Sequence, residues 1–368
     1  MKKFLAAILL LAACAAAFLA FETERAYRGY RGGVIVDIPP GSGAASASSI
    51  LAARGVLRTR VPFLALYALG RFRHRTLKAG EYLFDHPLSP RDVYAKIVRG
   101  DIYYHLVVIP EGSDRFDMAR ILHEKLGLDP DDFLRATAQP ALVRDLDPAA
   151  PTLEGYLFPD TYRFPASTTA ASAVATMLAR FRKVMDSRFR AALATAPDES
   201  LHDVLTLASL VEKETPDIAE RADIAGVFTR RLQRDMPLDC DPTVAYAARL
   251  SSASAGPLPA APSPITAGEL ASDSPYNTYR RPGLPPGPIC SPGAASIDAA
   301  LHPAAGNALY FVSNLHGGHI FASTLDEHNR NVARYRREMA GENPDQAPPK
   351  PAPATHRTRR RKRRHAGN

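Results

Sequence analysis

The stretch IPPGS at residues 38–42 returns later in the chain as IPEGS at residues 109–113. In each copy a short run of strand-forming residues precedes the turn, and apolar residues at helical spacing follow it. Proline and glycine mark the turn, and the change in apolar spacing marks the change from strand to helix. The sequence therefore predicts two copies of a strand–turn–helix module, over residues 34–57 and 106–128.

The region between the two copies fits the same small modules. LKAGEY at residues 77–82 is typical of a turn that enters a strand, and residues 90–98 have the pattern of a helix that stops before Gly100. We therefore expect α/β modules to fill residues 33–130.

An apolar run without charged residues follows two lysines at the N-terminus and extends over residues 4–21. Its length is close to the minimum for a bilayer-spanning helix. We expect a cytoplasmic stub at residues 1–3 and an uncleaved membrane anchor at residues 4–21. A cleaved signal peptide is one alternative, and a lipoprotein is another, because residues 11–14 resemble a lipoprotein cleavage box ending at Cys14.

Each of these options places most of the chain outside the cytoplasm, so we expect an inner-membrane protein with a periplasmic catalytic domain. The charge asymmetry across the span is weak, since Arg25, Arg28 and Arg31 follow it.

The C-terminal part has helical and strand patterns in turn. Helices are predicted over residues 131–138, 170–194, 203–215, 219–235, 244–249 and 325–339, and a strand pair over residues 308–313 and 319–323. The fold class is therefore α+β, with a membrane helix, the α/β modules and a mixed α+β domain over residues 131–340.

Two segments lack such patterns. SSASAGPLPAAPSP at residues 251–264 is predicted to be a low-complexity loop. Residues 341–368 are predicted to be a disordered, Pro-rich basic tail, and they carry much of the net charge of +8. Such a tail is either solubilising or an arm for an anionic polymer or a membrane surface.

The helix that ends in LASLVEKET, residues 207–215, carries two glutamates near its end. On a helical wheel Glu214 lies within the apolar arc and Glu212 at its edge. A buried carboxyl group favours its protonated form, which is what a general acid requires. An inward glutamate can equally serve as the ion-pair partner of an arginine such as Arg221 or Arg230, so this pattern alone does not define an enzyme.

Three loops combine aromatic, hydroxyl, amide and carboxylate side chains. They are LEGYLFPDTY at residues 153–162, DCDPT at residues 239–243 and SPYNTY at residues 274–279. Tyrosine rings offer flat apolar faces, and Asn and Thr supply hydrogen bonds. The loops therefore fit either an extended sugar chain or a set of tight turns.

These loops, together with LASLVEKET, IPEGS, GLPPGPI, SPGAASIDAALHPA and LYFVSNLHGGHIFASTLDEHN, resemble the endolytic murein transglycosylases of the YceG-like (MltG) family from about residue 30 to residue 340. The resemblance implies LysM-like modules at the N-terminal repeat and a domain that cleaves peptidoglycan glycan strands internally. It also implies a catalytic glutamate in a Glu-Thr pair at a helix end. In this chain that pair is Glu214-Thr215, with Glu212 as the alternative.

The implied reaction breaks the bond between N-acetylmuramic acid and N-acetylglucosamine, leaves a 1,6-anhydro end, and needs no metal or cofactor. A hydrolytic muramidase would want a second carboxylate, for which Asp160 and Asp241 are the candidates. A non-enzymatic glycan-binding scaffold is a third hypothesis. The residues expected to contact the sugar are Glu154, Tyr156, Asp160, Thr215, Asp241, Thr243, Tyr276, Asn277 and Tyr279.

Two cysteines depart from the family pattern. Cys240 and Cys290 stand beside the DPT and SPG motifs, and we expect them to form a disulfide that clamps the cleft, with two free, buried thiols as the alternative. The expected partners are glycan strands, the inner membrane and cell-wall synthases, and no nucleic acid.

Overall fold

The computed structural model describes residues 1–71, 74–195, 200–255 and 264–341, and it confirms the mixed α+β class with an N-terminal apolar helix. The strands are β1 (Val34–Ile38), β2 (Gly80–Phe84), β3 (His105–Val108), β4 (Thr161–Phe164), β5 (Tyr310–Ser313) and β6 (His319–Ala322). The helices are α1 (Lys2–Glu24), α2 (Ala44–Ala53), α3 (Val61–Arg71), α4 (Pro90–Arg99), α5 (Arg115–Leu126), α6 (Pro130–Thr137), α7 (Ala170–Val184), α8 (Arg190–Thr195), α9 (Leu201–Glu214), α10 (Arg221–Leu232), α11 (Asp241–Ala255), α12 (Ala267–Leu270), α13 (Ala294–Leu301) and α14 (Leu325–Met339).

Helix α1 contains the predicted anchor and is longer than the uncharged run alone. It has a mean hydropathy of 2.7 over its most apolar window, and that window has no buried residue. At about 1.5 Å per residue it is long enough to cross a hydrocarbon layer of about 30 Å.

The first strand–turn–helix copy belongs to a βααβ unit, residues 34–84, in which β1 and β2 pair antiparallel around α2 and α3. Alternate strand residues point inward, so Val36 and Ile38 face the core while Asp37 is exposed. Phe63 on α3 is also fully buried, and α4 adds Val93 to the same core.

The second copy forms a matching βααβ unit, residues 105–164, in which β3 pairs antiparallel with β4 around α5 and α6. The last strand of this unit, β4, therefore lies well beyond the module boundary predicted at residue 130. The strand pairing joins the second copy to the region that was expected to be a separate catalytic domain.

Matching glycines shape both units. Gly41 and Gly112 take positive φ values of 79° and 74° in the IPPGS and IPEGS turns. Gly55 and Gly127 take positive φ values of 72° and 68° just after the first helix of each unit. Both copies thus contain a strand, a turn and a helix in the same order.

The remaining predicted helices are present, and α14 has the predicted ends while the others have shifted ends. Helix α11 extends to Ala255, into the segment predicted as a loop, while residues 256–263 of that segment lie outside the described residues. A π-helical turn at Met185–Phe189 divides the helix that was expected over residues 170–194. The basic tail from residue 342 onward is also outside the described residues.

The chain divides into two compact units at Ala305 and Gly306, so the region expected to be one catalytic domain falls in both. In the smaller unit β5 and β6 form the predicted antiparallel pair. Helix α14 packs on this pair, and the His328 ring stacks on Tyr310 at a centroid distance of 5.2 Å.

Gly55 and Gly127 occupy matching positions in the two units, but a side chain at each would meet different surroundings. We expect Gly127→Ala to cost about 1–2 kcal/mol of unfolding free energy, because a Cβ there meets only the strain of positive φ. Gly55→Ala should cost more, because its Cβ would also lie 2.8 Å from the Gly29 backbone. Thermal unfolding of both variants checks this order, and equal losses would contradict it.

Candidate active site

Helix α9 is the central element of the site. The Ser200 hydroxyl accepts the Asp203 N–H at 3.1 Å and caps the helix start. The eight residues from Val204 to Val211 are all buried, so α9 is surrounded by protein over two turns. The helix ends at Glu214, and Thr215 continues in an extended conformation.

The 286–293 loop runs alongside α9 toward its C-terminal end. The Ile289 N–H donates to the Ser209 hydroxyl at 3.0 Å, and the Cys290 thiol donates to the Ser209 carbonyl at 3.4 Å. One turn further along, the Gly293 N–H donates to Glu212 at 2.9 Å. This loop, with the sequence PGPICSPG, therefore supports the helix that carries both glutamates.

Glu212 makes a buried ion pair with Arg221. Two guanidinium nitrogens of Arg221 approach the Glu212 carboxylate at 3.0 and 3.2 Å, and the two side chains are only 5% and 6% exposed. Glu111 of the IPEGS turn lies 3.7 Å from the same guanidinium. The wheel placed Glu212 at the edge of the apolar arc, but the structure buries it within a charged pocket.

Glu214 lies against the DCDPT loop. Its carboxylate accepts a hydrogen bond from the thiol of Cys240, which is buried at the start of α11. Burial and then the neighbouring Glu214 carboxylate raise the pKa of Cys240 well above its ordinary value, so the thiol stays neutral. Glu214 itself is half-buried.

Two threonines join the DCDPT loop to the 274–279 loop. The hydroxyls of Thr243 and Thr278 lie 2.9 Å apart, and Thr278 also accepts the Cys240 N–H at 3.0 Å. Tyr279 donates its hydroxyl to Asp241 at 2.6 Å. These contacts bring three of the predicted sugar-contacting residues, Asp241, Thr243 and Tyr279, into one assembly next to Glu214.

Some predicted contact residues shape the loops from inside. The Asn277 amide donates to the carbonyls of Leu270 and Ser272 at 2.9 and 2.8 Å and is fully buried. The Thr215 hydroxyl accepts the Asp217 N–H at 3.1 Å, and Thr215 is 1% exposed. The hydrogen bond of Thr215 fixes the backbone that follows α9. Those of Asn277 fix the 274–279 loop, which precedes α13.

Glu154 is a second buried carboxyl group in this part of the molecule. One of its oxygens accepts the Tyr246 hydroxyl at 2.9 Å and the Arg115 N–H at 3.2 Å, and the other has no hydrogen-bond partner. Burial, reinforced by nearby Asp114, raises the pKa of Glu154 to about 8. The Tyr246 ring meets Tyr276 edge-on at 5.1 Å, which links Glu154 to the 274–279 loop.

A buried arginine on α11 was not among the residues identified from sequence. Arg249 pairs with Asp114 and, at 3.1 Å, with Asp117. Asp114 also caps α5 by accepting two backbone N–H groups, and burial raises its pKa to about 6. The available signal in the sequence was Asp114. It directly follows the IPEGS turn, at a position where Asp is a preferred helix cap, and it is the partner of Arg249.

Tyr156 and Asp160 have partners elsewhere. Tyr156 is fully buried and donates its hydroxyl to Asp147, which also lies 2.8 Å from a His202 ring nitrogen. Asp160 pairs with Arg180 on α7. Both residues support the packing of the helices rather than joining the loop assembly beside Glu214.

The expected disulfide is not formed. Cys240 and Cys290 are both buried free thiols, and each donates to a different acceptor on α9. The two loops are held to α9 by these separate hydrogen bonds. The prediction was wrong because two loops that border the same helix need not bring their sulfur atoms within bonding distance.

No cluster of three or more His, Cys, Asp or Glu side chains with metal-binding geometry occurs among the residues that the structure describes.

A YceG-like family model matches residues 36–334 of the chain. The chain belongs to the YceG-like family. It is 30% identical to the endolytic murein transglycosylase of Bacillus subtilis, over 82% of this chain and 84% of that protein. It is 31% identical to the Streptococcus pneumoniae protein of the same name, but covers only 58% of it. A crystal structure of a YceG-like protein from Listeria monocytogenes is 32% identical, has a TM-score of 0.55, and is matched over its full length and 82% of this chain.

The range matched to the YceG-like family includes α9, the DCDPT loop and the 274–279 loop. It begins after α1 and ends before the basic tail. The resemblance noted in the motifs is therefore confirmed for the region that holds both glutamates.

The two thiols can be tested by alkylation without a reductant. We expect both Cys240 and Cys290 to be alkylated once the protein is denatured, and to resist alkylation in the native state because both are buried. Mass spectrometry of the digested protein measures this. A cross-linked peptide pair in place of two alkylated peptides would contradict the structure.

The buried Glu154 should make stability depend on pH. Its folded-state pKa of about 8 exceeds its ordinary value of 4.5, so the folded chain keeps a proton that the unfolded chain releases. The free energy of unfolding should therefore fall as the pH rises from about 4.5 to about 8. In Glu154→Gln this fall should be smaller, whereas Glu124→Gln, at an exposed position, should leave it unchanged. Urea unfolding across this range measures the difference, and parallel curves for wild type and Glu154→Gln would contradict it.

Proposed function

We propose that this chain is a membrane-anchored endolytic murein transglycosylase. It cleaves the β-1,4 bond between N-acetylmuramic acid and N-acetylglucosamine within peptidoglycan strands and leaves 1,6-anhydro ends. The observation that carries the proposal is the family match over residues 36–334, with curated relatives named for this activity. The chemistry of the α9 end supports it.

Glu214 is the proposed catalytic residue, and Glu212 is the alternative. The Glu212 carboxylate is already occupied by the buried ion pair with Arg221 and by the Gly293 N–H, which commits it to structure. Glu214 instead meets the neutral thiol of Cys240 at the end of the helix. A half-buried carboxyl group beside a neutral donor is better suited to exchange a proton than one already paired with a cation.

In the first step, protonated Glu214 donates its proton to the glycosidic oxygen. The bond to the muramic anomeric carbon breaks, and N-acetylglucosamine leaves with that proton. Positive charge develops on the anomeric carbon, where the 2-acetamido oxygen of the same sugar can stabilise it.

In the second step, ionised Glu214 removes the proton from the muramic C6 hydroxyl. The C6 oxygen then bonds to the anomeric carbon and closes the 1,6-anhydro ring. Glu214 ends protonated, as it began, so one carboxyl group serves as acid and then as base. The reaction requires no water molecule and no second carboxylate.

The sugar-facing residues are proposed to be Tyr276, Tyr279 and Asp241. Tyr276 is half-buried, while Tyr279 and Asp241 are exposed, so these three have surface available for a ligand. The predicted contacts Glu154, Thr243, Asn277 and Thr215 are buried. We assign these four to holding the loops at the correct distance from α9.

The location of the protein is part of the proposal. We propose that α1 crosses the inner membrane, that the catalytic region is periplasmic, and that the two strand–turn–helix copies belong to LysM-like glycan-binding modules. We also propose that the enzyme acts beside cell-wall synthases and can end the elongation of new strands. The apolar length of α1 supports the anchor, and the matching βααβ order of the two units supports a shared binding role.

Purified peptidoglycan digested by the full-length protein in detergent tests the reaction. We expect the wild type to release fragments with anhydro-muramic ends, read by mass. Glu214→Gln should lower the cleavage rate by about 100-fold to 10,000-fold, as is typical for loss of a general acid. Its thermal stability should stay near that of the wild type.

Glu212→Gln is the matched control on the same helix. It should lower the free energy of unfolding by up to about 3–5 kcal/mol, because it breaks a buried ion pair and leaves Arg221 with only the more distant Glu111 as an acidic partner. Reducing ends would identify a hydrolytic muramidase instead, and binding without cleavage by the folded wild type would favour a scaffold. Full activity in Glu214→Gln would transfer the catalytic assignment to Glu212.

A further inference from the structure

Helix α1 is fixed to the first βααβ unit without a flexible linker. Glu24, the last residue of α1, pairs with Arg91 at 2.6 Å. The Tyr27 N–H then donates to the Leu88 carbonyl at 3.0 Å, and the Tyr27 and Leu88 backbones form a bridge. The Gly29 N–H also donates to the Gly55 carbonyl at 2.9 Å within the first βααβ unit, so residues 25–33 between α1 and β1 are held against the folded protein.

Helix α3 lies beside the last turns of α1. A groove of about 740 Å³ separates the two helices. Its apolar lining comes from Ala15, Phe18 and Leu19 on α1 and from Val61 and Pro62 on α3. The polar residues at the same groove are Glu22, Arg25, Arg58 and Thr59.

The position of Phe18 on α1 indicates how deep the groove would lie in a bilayer. Six residues of helix separate Phe18 from Glu24, which corresponds to about 9 Å along the axis. If residues 4–21 cross the hydrocarbon layer, Phe18 lies at acyl-chain depth and Glu22 lies near the headgroups. Val61 shares the groove with Phe18, so the start of α3 reaches below the headgroups as well.

The surface of α3 fits that environment. Val61 is 62% exposed and Leu69 is 68% exposed, although both are large apolar residues. In water these side chains would remain solvated at a free-energy cost, whereas acyl chains would remove them from it. Arg58 and Arg60 are exposed just before the helix, where guanidinium groups can bind lipid phosphate.

We propose that α3 is an interfacial helix that inserts its exposed apolar side chains into the periplasmic leaflet of the membrane. The inference rests on the proposed membrane anchor, because the depth of Val61 is set by α1. The acyl chains fill the groove between α1 and α3, and Arg25 and Arg58 bind the phosphates above it. Arg25, one of the three arginines that weaken the charge asymmetry of the span, thus gains a role at the outer surface.

Fluorescence quenching in vesicles tests this placement. The full-length protein with Cys14→Ala is given one cysteine at a time, labelled with a polarity-sensitive dye, and reconstituted into phosphatidylethanolamine and phosphatidylglycerol vesicles. Labels are placed at Leu69 and Val61 on α3, at Phe18 as a reference within the span, and at Leu106 as a control. Leu106 is 62% exposed on β3, so it matches the α3 positions in exposure and polarity.

The labels at Leu69 and Val61 should lose emission to a lipid with a nitroxide on its acyl chain, to an extent near that at Phe18. They should be protected from aqueous iodide, while the Leu106 label should show the opposite behaviour. Iodide quenching at both α3 sites with lipid quenching retained at Phe18 would overturn the inference and leave the anchor intact. Loss of lipid quenching at Phe18 would overturn both the anchor and the inference. Lipid quenching at Leu106 equal to that at Leu69 would also overturn it, because contact would not be specific to α3.

Discussion

The ion pair between Glu212 and Arg221 holds the end of α9 in place. It joins α9 to α10, and the Gly293 N–H adds the start of α13 to the same carboxylate. The IPEGS turn is tied to the same end, because Lys213 donates to the Gly112 carbonyl at 3.2 Å. Burying a pair of charges costs free energy, and removing one partner of a buried pair destabilises the fold strongly. Both residues of the pair are therefore needed. Glu214 follows two residues later on a helix end that cannot shift independently.

A second buried polar cluster supports the other side of the loop assembly. Arg249, Asp114 and Asp117 link α11 to α5, and Glu154 adds the segment between α6 and β4. Asp114 and Glu154 both have raised pKa values, which reflects how little water reaches them. The second βααβ unit is therefore joined to the α9 region by charged and hydrogen-bonded groups as well as by apolar packing.

Local features were well predicted from the sequence, and contacts between distant segments were not. The IPPGS and IPEGS repeat identified both strand–turn–helix copies, since a turn and the spacing after it are encoded within a few residues. The pairing of β3 with β4 was missed because some fifty residues intervene. Arg221 was recognised as an ion-pair partner for a glutamate on α9, but for the wrong one. A helical wheel separates an apolar face from a polar one. Because eight consecutive residues of α9 are buried, the helix has no polar face over that stretch, and the wheel could not show which glutamate meets Arg221.

The direct connection of α1 to the first βααβ unit limits where the protein can work. A flexible tether would let a catalytic region search a wide volume of the periplasm, with a reach that grows with tether length. Only Arg25 and Ala26 separate α1 from the bridge at Tyr27, so this chain has almost no tether. If α1 crosses the membrane as proposed, the two βααβ units are held close to the lipid surface. On that proposal, mature wall that lies further out is beyond the reach of the catalytic region, and glycan must come to the membrane surface to be cut.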